Sequence, residues 1–214
     1  MNRDEHGDEP APLLIFPCNG NGAEALDCLT PRFRLVAFVD DTPAKQRQPA
    51  YGHPVRARAA FAEFDGASVL AVPGSAESFR GRRDVIASLS LPRARFATIV
   101  HPRATVSAHA TLGRNVLIMA GVVVTSNARI GDHVCILPNT VIHHDALVGD
   151  FSIIGANVTI AGGATIGENC YIASGTSIMN GIRIADRALV GLGSTVLRDV
   201  AVDAVVAGNP ARVL

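Results

Sequence analysis

A chain of 214 residues with nineteen Lys and Arg against nineteen Asp and Glu carries no net formal charge. With no Lys/Arg-rich face in view, that balance argues against nucleic acid as a partner. Apolar residues make up 48% and aromatics only 5%, with no Trp, so the core is expected to be stacked from Ile, Val and Ala rather than filled by rings. Residues 1–11 are polar and acidic and read as a frayed tail; Asp4, Glu5, Asp8 and Glu9 are not the basic start of a signal peptide. No apolar run approaches the roughly 20 residues of a membrane helix. The four cysteines (Cys18, Cys28, Cys135, Cys170) have no metal-like pair spacing, and the chain reads as a reduced, cytoplasmic protein that touches no membrane.

Leu13-Leu14-Ile15-Phe16 predicts a buried strand. Asn19-Gly20-Asn21-Gly22 follows as a turn, and Ala23 to Leu29 has helical composition. Leu35 to Val39 is a second strand ending in Asp40-Asp41. Ser68 to Val72 is a third, ending in Pro73-Gly74. Phe79 to Leu89 predicts a helix with Arg82, Arg83 and Asp84 on its outer side. Strand, Gly-rich turn, helix, strand and acidic end form the order of a small Rossmann-like α/β domain over residues 12–98. The turn carries two glycines where the dinucleotide fingerprint has three. It reads either as a phosphate-binding turn or as a tight turn with no ligand, and Asp40-Asp41 either as ligand contacts or as a solvated strand end.

From Val100 the pattern changes. Every sixth residue is aliphatic, through Leu112, Ile118, Val124, Ile130, Ile136 and onward to Val196 and Val202. Two residues before each comes another small or apolar one, such as Val116, Val122, Ala128, Val134, Thr140, Ala146, Ser152 or Cys170. Leu112-Gly113, Ile130-Gly131, Val148-Gly149 and Ile166-Gly167 add an 18-residue beat. Three six-residue units, each a short strand and a corner, make one triangular coil. Strand side chains alternate faces, so both apolar positions point inward. Stacked coils, about 4.8 Å apart, bury an aliphatic ladder that no single coil buries alone. Gly after the aliphatic residue is expected to let the corner turn tightly. Residues 99–214 therefore read as a parallel β-helix of hexapeptide repeats, opened by His101-Pro102 and closed by Gly208-Asn209-Pro210-Ala211-Arg212.

The coils, that opening and closing, the preceding α/β domain and the segment Val141-Ile142-His143-His144-Asp145 together resemble the NeuD/PglD-type sugar acyltransferases. The resemblance implies a left-handed β-helix and a homotrimer with its active site in a groove between subunits. It implies transfer of an acyl group from acyl-CoA, acetyl-CoA by expectation, to an amino or hydroxyl group of a nucleotide-linked amino sugar. The setting implied is polysaccharide or glycan precursor synthesis, and no metal is expected. His144 and Asp145 fall on the family's catalytic base and adjoining carboxylate. An imidazole titrating near neutrality can take the proton that the acceptor loses, and a carboxylate beside it fixes the tautomer. The resemblance places the coenzyme along the coils at Gly162, Ser174, Gly191 and Gly193, with Arg198 or Arg212 toward its phosphates. It places the sugar nucleotide on the first domain, at Asn19, Gly20 and Asn21 for the phosphates and at Asp40 and Asp41 for base or ribose.

Three positions depart from the family: Asn21 stands between the glycines where a His is common, Leu137 where an Asn is common, and Ile153 where a second His is common. Ile153 is expected to point outward into the groove. Two alternatives follow. One is a trimeric nucleotide-sugar-binding protein without turnover. The other is a zinc-dependent lyase of the carbonic anhydrase type, with His133, His143 and His144 as the available histidines. His133 and His109 are otherwise expected at the surface.

Overall fold

The computed structural model describes residues 9–214, so most of the expected tail lies outside the described residues; Ala11, its last position, already starts a strand. In the first part, β1 (Ala11–Phe16), β2 (Phe33–Val39), β3 (Val55–Arg56) and β4 (Ser68–Ala71) form one parallel sheet in the order β3-β2-β1-β4. The run Leu13 to Phe16 is buried throughout because the sheet is covered on both faces. Leu14, Phe16, Val39 and Val69 pack with Phe61, Ile86 and Phe96 on one side. Leu13, Ile15, Phe38 and Leu70 pack toward Leu117, Cys135 and Ile153 of the second part. The helices are shorter than expected. α1 covers Gly20–Glu24 and runs into a 3-10 turn over Ala25–Cys28. The segment from Phe79 splits into a 3-10 turn, Phe79–Gly81, and α3, Arg82–Ala87, while α2 (Ala60–Glu63) was not expected.

From Ile99 onward the chain winds in two-residue strands, each pairing in parallel with the strand 18 residues on, as in Ile136↔Ile154↔Ile172. They line up in three sheets, the faces of a triangular coil. Both apolar positions of each unit are inside, from Val116 and Ile118 to Ala188 and Val190, in one continuous core that includes Cys170. The inward Thr140, Ser152 and Thr176 hydrogen-bond to corner carbonyls of the next coil. Thr140 Oγ1 donates to Gly155 O at 2.6 Å and Ser152 Oγ to Gly167 O at 2.9 Å, so a buried hydroxyl costs little there. The beat shortens at the end. Ile184 bridges Val200 and Val190 pairs with Val206, 16 residues apart instead of 18. Val202, expected inward, is therefore 59% exposed. Val205–Ala207 and an antiparallel Arg212–Val213 close that end.

The glycines of the 18-residue beat do not make the turn. The left-handed residue falls three places after the aliphatic one, at every sixth position from Asn115 (φ 57°) to Gly193 (φ 64°). Asn, Asp and Gly fill most of these positions, since they tolerate positive φ best. Gly131 and Gly149 serve close stacking instead: a Cβ at Gly149 would lie 2.6 Å from the backbone of Gly167 in the next coil.

One corner, Asn115-His133-Phe151-Asn169, faces the first part and fastens it. The Asn115 amide donates to Ala71 O and accepts from Ala71 N, both at 2.7 Å, much as a further strand would. His133 is buried rather than on the surface. It stacks on Phe151 with centroids 4.7 Å apart, meets Phe96 edge-on, and its Nδ1 lies 2.9 Å from Asn115 Nδ2. Burial pushes its pKa down to about 4, which keeps it neutral and able to accept that bond. Arg82 is fully buried, against the expectation that it lies on an outer face, because the coil covers that side of α3. Its guanidinium donates to Pro73 O and, from Nη2 at 2.9 Å, to His133 O.

Candidate active site at a corner of the coil

His144 and Asp145 sit at the corner between strands Val141–Ile142 and Leu147–Val148. Inward Ile142 fixes the register, and the next two residues leave the core, so their side chains are 62% and 58% exposed. Asp145 occupies the left-handed turn position, with φ 60°. Its Oδ2 lies 2.8 Å from His144 Nδ1. Hydrogen bonds from His144, then Asn127, hold its carboxyl below the usual carboxylate range. An ionised carboxylate only accepts, so Nδ1 carries the hydrogen, and in the neutral ring the lone pair falls on Nε2. His143 donates its backbone N–H to Ile160 O and is not part of this pair.

Gly162, assigned to coenzyme binding, stands one coil beyond His144. A Cβ there would lie 2.6 Å from both Cε1 and Nε2 of the ring. The glycine makes room for the imidazole. Gly162→Ala is expected to leave the unfolding midpoint within 1–2 °C, since only a side-chain tip must shift, yet, on the catalytic role the resemblance implies for His144, to lower turnover roughly ten-fold by moving Nε2. Unchanged turnover would show that the ring needs no such space.

An open groove of about 580 Å3 begins at Asp145 and is lined by His109, Asn127, Arg129, Leu147 and Thr165. His109 is exposed, as expected. His133 lies at another corner from His143 and His144, and among the described residues no group of three or more His, Cys, Asp or Glu could hold a metal ion.

The other predicted residues lie elsewhere. Ser174, Gly191 and Gly193 share a different corner, after strands Tyr171–Ile172 and Leu189–Val190. Ser174 Oγ accepts from Ala156 N at 3.0 Å, and a Cβ at Gly191 would lie 2.8 Å from Ala207 Cβ. Asn19, Gly20 and Asn21 line a cleft of about 310 Å3 with Gly74, Ser75, Leu137, Ile153 and Tyr171. Ile153 does leave the coil outward, but the first part covers it and it is 2% exposed. It belongs to the cleft floor and not to an open groove. Asn19 is occupied as the cap of α1: Oδ1 accepts from Gly22 N at 2.8 Å and Nδ2 donates to Val72 O. Gly22 is glycine because a Cβ would lie 2.5 Å from Pro17 O. α1 has five residues, too short to offer a phosphate a strong N-terminal dipole.

Asp40 is likewise occupied. Oδ1 accepts from Thr42 N at 3.0 Å; Oδ2 accepts from Cys18 N at 3.2 Å and from Lys45 Nζ at 2.8 Å. Burial opposes its charge, but the Lys45 and Thr42 hydrogen bonds outweigh it and lower the pKa. Asp41 pairs with Arg58. A hollow of about 440 Å3 lies beside them, lined by Cys18, Lys45, Gln48 and the exposed Tyr51. Asn127 belongs to no motif in the sequence, though its place 18 residues before Asp145 is a visible signal.

Known proteins share this architecture. Residues 127–162 match the family described as bacterial transferase hexapeptide (six repeats). No curated protein matches the chain by sequence. A point mutant of perosamine N-acetyltransferase from Caulobacter crescentus, solved with CoA and GDP-perosamine, is 25% identical and superposes with a TM-score of 0.81 over 95% of this chain and 96% of that one. The acetyltransferase domain of PglB from Neisseria gonorrhoeae, in complex with acetyl coenzyme A, is 25% identical, with a TM-score of 0.83 over 96% and 100%. WeeI from Acinetobacter baumannii, at 21% identity, shares the fold, with a TM-score of 0.82 over 95% and 99%. The chain is thus built as the hexapeptide-repeat sugar acyltransferases are.

Proposed function

We propose that this chain transfers an acyl group, acetyl in the first instance, from acyl-coenzyme A to an amino or hydroxyl group of a nucleotide-linked sugar, with His144 as general base. One observation carries the reading: an exposed imidazole held through Nδ1 by Asp145, with Nε2 bare beside Gly162. Nε2 takes the proton from the acceptor as its nitrogen or oxygen attacks the thioester carbonyl. The C–S bond then breaks, and the imidazolium returns the proton to the departing thiolate. The likeness to structures that hold CoA and GDP-perosamine supports both substrate classes.

Within one chain the cleft at Asn19–Asn21 and the corner of Ser174, Gly191 and Gly193 lie apart from His144. A homotrimer of left-handed coils joins them across subunit boundaries in this reading, with residues 99–214 as the transferase unit. Residues 12–98 form the Rossmann-like unit that carries the sugar nucleotide through Gly20, Asn21 and the hollow beside Asp40. The test is thiol release from acetyl-CoA against a panel of nucleotide-linked amino sugars. Release that depends on acceptor is expected. Binding of a nucleotide sugar with no thiol release would instead support a non-catalytic binding protein.

A further inference from the structure

Asp145 poses a question that the pair with His144 does not answer. Its side chain is 58% exposed, and an exposed carboxylate rotates among its rotamers unless something holds it. A carboxylate that swings away frees the imidazole to turn and to change tautomer. The holding group comes from the preceding coil. Asn127 lies 18 residues before Asp145, at the same left-handed turn position, with φ 59° against 60°. Its Nδ2 donates to Asp145 Oδ1 at 3.2 Å, while Oδ2 faces His144 Nδ1 at 2.8 Å. The two oxygens are thus divided, one for each partner. On the far side the next coil has Gly162 and Gly163 at the corresponding places. That side offers no side chain to steady Asp145 and leaves room for the imidazole ring itself.

We propose that Asn127 is a positioning residue for the transfer: its amide fixes the Asp145 carboxylate, which in turn keeps Nε2 of His144 as the free base. The residue type follows from the role. The site needs a side chain that tolerates positive φ, donates to a carboxylate and adds no charge, and Asn meets all three conditions. Asp at 127 would tolerate the backbone equally well but would put a second anion against Asp145 and stabilise the imidazolium. This inference rests on the general-base reading of His144, and the experiment separates the two.

The test uses Asn127→Gly, because glycine already fills the equivalent corners at 121, 163, 175, 181 and 193. The turn is therefore kept and only the amide is lost. Acceptor-dependent thiol release is expected to show kcat about ten-fold lower, with KM for acetyl-CoA and acceptor within two-fold of the parent. In a His144→Ala background the same change is expected to have no further effect, the non-additivity of groups that act as a unit. Asn127→Asp is expected to move the acid limb of kcat/KM to higher pH, because a more stable imidazolium loses its proton later. A parent-like kcat in Asn127→Gly, or an equal loss with and without His144, overturns the inference and leaves the base assignment standing. A His144→Ala protein that retains its rate overturns the base assignment itself.

Discussion

Replacing His144 by Ala is expected to lower acceptor-dependent thiol release by about 100-fold or more, the usual contribution of a positioned general base. The magnitude follows from the atoms. An amino or hydroxyl acceptor sheds its proton as it attacks the carbonyl, and Nε2 is an unoccupied base at this corner, with Nδ1 already committed to Asp145. The loss should fall on kcat and kcat/KM together, since the proton moves only as the transition state forms. Folding is not at stake. The imidazole is 62% exposed and lies outside the aliphatic core, so the unfolding midpoint should stay within the small range of surface substitutions. A rate within a few-fold of the parent, with the fold intact, would remove His144 from the mechanism.

The coil was legible because its signal is redundant. Eighteen aliphatic positions on a six-residue step admit neither a helix nor a flat sheet, and the register that puts Ile142 inside also puts His144 and Asp145 outside. One detail needs the third dimension. The glycines at 131 and 149 suggest turning, but their neighbours in space lie a coil away, where a Cβ would strike Asp150 or Gly167. The turning role belongs to Asn, Asp and Gly three places after the aliphatic residue, a second six-residue beat that the sequence also carries. What no local pattern announced was the docking of one part on the other. Arg82, His133 and Ile153 each look solvent-facing when their own element is considered alone. All three are buried because the sheet of the first part lies against one face of the coil. The same limit applies at the N-terminal turn, where Asn19 and Asp40 read either as ligand contacts or as a tight turn and a solvated strand end. Their side chains turn out to be spent on α1, Thr42, Cys18 and Lys45.

The largest effect on stability is expected at Arg82. Its side chain is fully buried, and its hydrogen bonds run to two backbone carbonyls, Pro73 O and His133 O, rather than to a carboxylate. Burial lowers the guanidinium pKa to about 10, still far enough above neutrality to keep it charged. Arg82→Ala leaves both carbonyls buried without a donor, at about 1–3 kcal/mol each, and opens a cavity beside Ile153 and Gly74. Relief of the buried charge offsets part of that cost. The balance is a loss of about 3–4 kcal/mol. Arg82→Met, which fills the space but donates nothing, should lose about 2 kcal/mol. Because Arg82 bridges the two parts, the loss should concentrate where they meet. Amide protons of β4 and α3 are expected to exchange about 100- to 1000-fold faster in Arg82→Ala, while those of Ile154 and Ile172 deep in the coil keep their protection. Faster exchange spread evenly over both parts would mean that Arg82 supports the fold as a whole and is not the pin that holds the first part to the coil. Unchanged exchange at β4 and α3 would mean that the two carbonyls find other donors and that the bridge contributes little.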